Sequence, residues 1–239
     1  MADFILVHGA CHGGWCWEKV VPLLAAQGHH ACAPDLPGLG ADRTPPANVT
    51  LADNVDKLAK LLDKLDEPAI VVGHALGGVT ISQLGEARRR KIKALVYVSA
   101  LLPPSGKTGR DMPALEPDAL FRRTREVNAD GSTYTFARAH LPTLFYSDVS
   151  PEDRYKAMER LRPQPLAISN TPVTLTNERF GSVPRWYIEC THDNAVLIRV
   201  QRQMVAMTPC KVITMECGHT PFYSAPEELA EHLDAIAKS

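Results

Sequence analysis

Residue 75 stands at the centre of the segment Val71-Val72-Gly73-His74-Ala75-Leu76-Gly77-Gly78. An apolar, strand-like run enters this segment and a helix-compatible run leaves it. A side chain in the middle of such a strand-to-helix turn is thrust out of the backbone in a strained conformation, so small residues are required two positions to either side. Gly73 and Gly77 meet that requirement. The turn also opens a helix, whose first N–H groups favour developing negative charge. The pattern is Gly-x-Ser-x-Gly in all but one respect: residue 75 is Ala and has no hydroxyl with which to attack. Taken alone, the segment could equally be a glycine-rich turn in a protein without catalysis.

Two more positions bear on that choice. Trp186-Tyr187-Ile188-Glu189-Cys190-Thr191-His192-Asp193 carries an Asp just past an apolar run, and Val212-Ile213-Thr214-Met215-Glu216-Cys217-Gly218-His219 carries a His in the loop after another. The order 75, 193, 219 is nucleophile, acid, base. Asp193 would hold the His219 ring in the correct tautomer, and His219 would carry a proton from the nucleophile to the leaving group. Either residue by itself would be an ordinary turn or loop residue; their joint placement makes the catalytic reading the expectation. Glu216 competes with Asp193 for the acid and His192 with His219 for the base, each from a less suitable position. His8-Gly9-Ala10 follows the first strand-like run, so the amides of Ala10 and of Leu76, next after residue 75, are the expected oxyanion donors. His74 is expected to be structural.

The elements around these residues alternate. Phe4–Val7, His29–Ala33, Ala69–Val72 and Ile92–Val98 read as strands, and Trp17–Gln27 as a helix. Leu51, Val55, Leu58, Leu61, Leu62 and Leu65 recur at helical spacing, with Thr50 and Asp53 as a capping signal. After a long interruption the alternation resumes with strand Arg185–Cys190, helix Ala195–Met207, strand Lys211–Met215 and a last helix over Leu229–Ala237, with Ser224 and Glu227 as a candidate capping box. Repeated β-α units predict a mostly parallel sheet of about six strands with helices on both faces. The interruption, about 103–183, is rich in proline (Pro103, Pro104 and Pro117 among them) and has helical patches at Asp118–Val127 and Pro151–Leu161 and a strand-like patch at Ser132–Phe136. A structureless loop of that length is improbable in a compact domain. The expectation is a single domain, with core 1–102 and 184–239 and a helical cap inserted after the fourth strand.

Composition narrows the partners. Apolar residues make up 45% of the 239 residues and charged residues 22%, outside the disordered range, and the formal net charge of −1 lacks the basic footprint of a nucleic-acid binder. No apolar run approaches a membrane span, and the short Phe4–Val7 run after Met1-Ala2-Asp3 is no signal peptide. A cytoplasmic chain with free thiols is expected from its six cysteines. Cys11, His12 and Cys16 have no second cluster at zinc spacing, so no metal and no cofactor is expected. A homodimer stays open.

Val7-His8-Gly9-Ala10-Cys11-His12-Gly13-Gly14-Trp15, together with the residue 73–77 turn, Ser150-Pro151-Glu152-Asp153, Glu178-Arg179-Phe180-Gly181-Ser182-Val183, Cys190-Thr191-His192-Asp193 and Gly218-His219, resembles the plant methylesterases, which are related to the hydroxynitrile lyases. The likeness runs through nearly the whole chain and is weakest in the insert. It implies an α/β-hydrolase fold and a Ser-His-Asp carboxylic ester hydrolase acting on a small or aromatic, hydrophobic ester. That family has Ser at position 75, so Ala75 implies an inactivated variant. The alternatives are a ligand-binding homologue without catalysis and, less favoured, a lyase: the resembling lyases carry Thr where Gly9 stands and Lys where Thr220 stands. Expected pocket residues are Cys11, His12, Phe121, Phe136, Leu144, Phe145 and Phe222, each of which could instead be plain core.

Overall fold

The structure is a computed structural model that describes residues 1–116 and 118–239; Pro117 of the insert lies outside the described residues. In chain order the strands are β1 (Asp3–Val7), β2 (His30–Cys32), β3 (Ala69–His74), β4 (Ile92–Val98), β5 (Arg125–Val127), β6 (Thr133–Phe136), β7 (Gln164–Pro165), β8 (Arg185–Cys190) and β9 (Lys211–Met215). Six of them form one sheet in the order β2-β1-β3-β4-β8-β9, every neighbouring pair parallel. β3 is buried at all its residues, because a central parallel strand is covered on both faces; hence the unbroken apolar run Ala69–Val72. The parallel sheet of about six strands expected from the alternation is the sheet observed, and its architecture is the α/β-hydrolase fold that the resemblance implies.

The helices are α1 (Val20–Ala26), α2 (Leu51–Leu62), α3 (Gly77–Arg88), α4 (Leu120–Arg123), α5 (Leu141–Phe145), α6 (Pro151–Arg160), α7 (Leu166–Asn170), α8 (Ile198–Met207), α9 (Pro221–Ser224) and α10 (Pro226–Lys238). α1 packs with α10, and α2 packs with α3, which lies against β3 and β4. In α2 the apolar stripe Leu51, Val55, Leu58 and Leu62 is buried, and the Thr50–Asp53 capping box is present, with the Asp53 amide donating to Thr50 Oγ1 at 3.3 Å and the Thr50 amide to Asp53 Oδ2 at 2.8 Å.

Several boundaries differ from the sequence pattern for local reasons. The helix expected over Trp17–Gln27 begins only at Val20, which puts Pro22 in its first turn, where a missing N–H costs nothing. α8 begins at Ile198 because the amides of Ala195 and Val196 donate to Asp193 Oδ1 in a turn. The Ser224–Glu227 capping box does not form. Ser224 ends α9, Ala225 is the N-cap of α10 without a side-chain bond, and Pro226 takes its first position.

The segment between β4 and β8 is mixed rather than helical throughout. β5, β6 and β7 form a three-stranded antiparallel sheet, with Arg125 opposite Phe136 and Tyr134 opposite Gln164. Only the middle strand, β6, carries a pattern visible in the sequence. Its partners lie within an expected helix (β5) and in a proline-containing pair of residues (β7), and become strands because β6 needs neighbours for its backbone groups.

Candidate active site

Ala75 lies one residue beyond β3 and two before α3, with φ +46°. That left-handed conformation costs an L-residue on the order of 1–3 kcal/mol and persists only where the surroundings hold it. Here the Leu101 and Gly78 amides donate to the Ala75 carbonyl at 2.8 and 3.1 Å. Gly77 is required by close approach: a Cβ on it would lie 2.8 Å from the His8 carbonyl oxygen. A Cβ on Gly9 would come within 2.9 Å of both the Ala75 methyl and His74 Nδ1, so the His8-Gly9-Ala10 loop is drawn tightly against the turn. Among the described residues, neither the Ala10 nor the Leu76 amide donates to a protein acceptor, and both residues line the cavity above Ala75.

His219 Nδ1–H donates to Asp193 Oδ2 at 2.7 Å, and both side chains are buried. Asp193 Oδ1 accepts the Ala195 and Val196 amides at 2.6 and 2.8 Å, and Ser99 Oγ donates to Oδ2. The carboxylate is therefore held by donors on both oxygens and can receive only an N–H from His219. That bond turns the other ring nitrogen, Nε2, away from the acid, and His219 lines the same cavity as Ala75. Glu216 and His192 are exposed, so neither competes.

The His219 loop is supported from three sides. His74 Nε2–H donates to the His219 carbonyl at 2.8 Å, Asp148 Oδ2 accepts the Gly218 amide at 2.6 Å, and Thr220 Oγ1 donates to the Phe145 carbonyl at 2.7 Å. His8 and His12 are equally committed. His12 donates from Nδ1 to the Ala10 carbonyl at 2.7 Å and accepts the Tyr146 hydroxyl on Nε2 at 2.8 Å. His8 donates from Nδ1 to the Gly9 carbonyl and accepts the Leu36 amide on Nε2. Both rings are thereby neutral bridges. Burial lowers His8 to about 4, His12 to about 3, and His74 well below the ordinary value, with His219 adding to the effect on His74.

These three histidines make the fold sensitive to acid. In the unfolded chain each takes up a proton near pH 6.5, while the folded chain refuses it until well below. Their contribution is complete above that pH and falls as pH drops toward 4, by about 1.4 kcal/mol per pH unit for each histidine. Urea unfolding at pH 7 and pH 5 should show several kcal/mol of lost stability. An unchanged free energy over that interval would mean that these rings are not held neutral.

The cavity, of about 460 Å³, is lined by Ala10, His12, Ala75, Leu76, Phe121, Phe145 and His219 of the residues expected from sequence. Cys11, Phe136, Leu144 and Phe222 do not line it. Cys11 (φ +65°) is turned inward, its amide on Gln164 Oε1 at 3.0 Å, and burial pushes its thiol up to about 12. Phe136 sits behind the wall between Phe121 and Phe145, with ring centroids 4.9 and 5.1 Å away. Leu144 is core, and Phe222 is fully buried under His74 and Trp17. Sequence reasoning missed His74, Tyr134, Arg110, Arg122 and Arg125 in the lining, and Ser99 behind Asp193. Ser99 lies one residue past β4, the strand end where such a site must be, and that position was a usable signal. Among the described residues, no three His, Cys, Asp or Glu gather at metal-binding distance.

Residues 4–232 match the model of the alpha/beta hydrolase family. The chain is 32% identical over 253 residues to methyl jasmonate esterase 1 of Vitis vinifera, covering 99% of this chain and 97% of the relative. It is 36% identical over 250 residues to salicylic acid-binding protein 2 of Nicotiana tabacum, covering 98% and 96%. A crystal structure of a pyrethroid hydrolase from Sphingobium faniae JZ-2 superposes with a TM-score of 0.91 at 31% identity, covering 100% of this chain and 98% of the other.

Proposed function

This chain belongs to the alpha/beta hydrolase family, and we propose that with serine at position 75 it is a carboxylic ester hydrolase working through residue 75, His219 and Asp193. The observation that carries the reading is the 2.7 Å bond from His219 to Asp193, which leaves Nε2 for the cavity that Ala75 lines. The relatives named methyl jasmonate esterase and pyrethroid hydrolase support an ester as the substrate class.

The serine oxygen attacks the ester carbonyl carbon while His219 Nε2 takes its proton. The carbonyl oxygen becomes an oxyanion facing the Ala10 and Leu76 amides, which have no other acceptor among the described residues. The intermediate collapses, the C–O bond to the alcohol breaks, and His219 returns the proton to the departing oxygen. Water, deprotonated by His219, then splits the acyl-serine, releasing the acid and restoring the hydroxyl. The segment about 103–183 serves as the cap: Phe121 and Phe145 supply apolar wall for a small or aromatic ester.

A serine at 75 and hydrolysis of an ester panel is the direct test. The chain with Ala75 supplies a second one. Removing the hydroxyl abolishes the covalent step but leaves the amides and the cap, so intact ester should bind without turnover. Calorimetry on the best substrate should give a Kd within about a hundredfold of the restored enzyme's KM, or about 3 kcal/mol. KM equals affinity only when chemistry is slow, so single-turnover kinetics accompany the comparison. A larger gap would mean that residue 75 also serves binding. Ala75 itself favours one rival, a ligand-binding homologue without catalysis; that reading stands if the folded Ala75→Ser protein hydrolyses nothing.

A further inference from the structure

The cavity changes character between its floor and its mouth. The floor is Ala10, Ala75, Leu76 and His219, all buried. Arg110, Arg122 and Arg125 line the same cavity from the insert; Arg110 and Arg122 are exposed and Arg125 is half-buried. Among the described residues none of the three forms an ion pair or donates a side-chain hydrogen bond, although most other arginines in the insert and in α8 have carboxylate or carbonyl partners. One carboxylate, Asp111, shares the lining, and its Oδ2 accepts the Thr108 amide and hydroxyl at 2.7 and 3.0 Å. Three cations against one anion leave a positive mouth on a chain whose formal net charge is −1.

Arg125 is the ordered member of the group. Its backbone pairs with Phe136 in the insert's sheet, and its guanidinium lies 4.7 Å from the ring centre of Tyr134, another wall residue. A guanidinium fixed on an aromatic face presents its remaining donors in a set direction, which suits a planar carboxylate. Burial, together with the fields of Arg110 and Arg122, lowers its hold on its proton, while Tyr134 raises it. The three cations repel one another, and that repulsion is relieved when an anion sits among them.

We propose that the substrate of this cavity is an anionic ester: an ester group over Ala75, an apolar spacer along Phe121 and Phe145, and a carboxylate at the far end received by Arg125 and Arg122 with Arg110 at the rim. A half-ester of a dicarboxylic acid has this layout. The inference rests on the ester-hydrolase reading, and deepens it from hydrophobic esters in general to those with a remote negative charge.

Monomethyl adipate and dimethyl adipate differ only in that charge. Calorimetry on the chain with Ala75 at low salt should give the half-ester about tenfold tighter binding than the diester, since each partly exposed charge contact is worth a few-fold. Because the mouth is open to solvent, the ratio should shrink toward one in about 0.5 M NaCl. Arg125→Gln with Arg122→Gln should lower the half-ester's affinity more than the diester's. Equal binding, tighter binding of the diester, or no detectable half-ester binding overturns the proposal. The Ala75→Ser protein separates the two levels. If it turns over neither adipate ester nor any of a broad ester panel, the hydrolase reading falls; if it turns over other esters but not the half-ester, or the diester with no preference for the half-ester, only the anionic one falls.

Discussion

Placing a hydroxyl at residue 75 should raise ester hydrolysis by about 10⁶-fold over the present chain, the factor that loss of the nucleophile costs in a known serine hydrolase. The backbone already holds the strained turn that the proposed reaction calls for. Ala75 holds φ +46°, and its carbonyl is pinned by Leu101 and Gly78, so Ala75→Ser adds one oxygen without moving the turn. A buried hydroxyl without a partner costs about 1–3 kcal/mol, and His219, which lines the same cavity with Nδ1 committed to Asp193, is expected to offset it by accepting on Nε2. A short-chain nitrophenyl ester at neutral pH reports the gain. If Ala75→Ser folds with unchanged circular dichroism and hydrolyses neither that ester nor any of a broad panel, the esterase proposal fails.

In the Ala75→Ser background, Asp193→Asn should lower kcat by about 10⁴, the size of the same change in a known triad enzyme. The backbone amides of Ala195 and Val196 are fixed donors aimed at Oδ1, so an asparagine must keep its carbonyl oxygen there. Its NH2 then replaces Oδ2 and faces His219 Nδ1 and Ser99 Oγ. Donor meets donor, and His219 is driven to the tautomer that carries its proton on Nε2, where it can no longer accept one from the serine. Stopped-flow acylation measures the loss, with urea unfolding as the control for folding. A loss of less than about tenfold would mean that Asp193 does not set the His219 tautomer.

The parts of this site that are legible in the sequence are those whose constraints are local. A turn that throws one residue into φ +46° demands glycines at fixed distances, and Gly73 and Gly77 announce it. Asp193 and His219 are legible because parallel strands deliver their loops to one edge of the sheet, so a residue just past a strand is already near the others. The same logic located Ala10 and Leu76. Buried strands such as Ala69–His74 are read from composition, since a strand covered on both faces admits almost nothing polar.

Tertiary structure decided the rest. Phe121, Phe136, Phe145 and Phe222 are alike in sequence, yet two face the cavity and two fill the core behind it. An aromatic side chain gains from burial in either place, and only the packing of the insert against the sheet chooses between them. β5 and β7 became strands because β6 required partners, a demand made across the chain by backbone groups that every residue carries. The gathering of Arg110, Arg122 and Arg125 at one cavity mouth has no periodicity to betray it, because it results from where the insert's short elements end. The sequence by itself determined the turn, the sheet and the meeting of residues 75, 193 and 219 at one edge of it, since these follow from dihedral and strand-end rules acting over a few residues. Which side chains a ligand would meet was settled only by long-range packing, because the direction a side chain takes depends on neighbours far away in the chain.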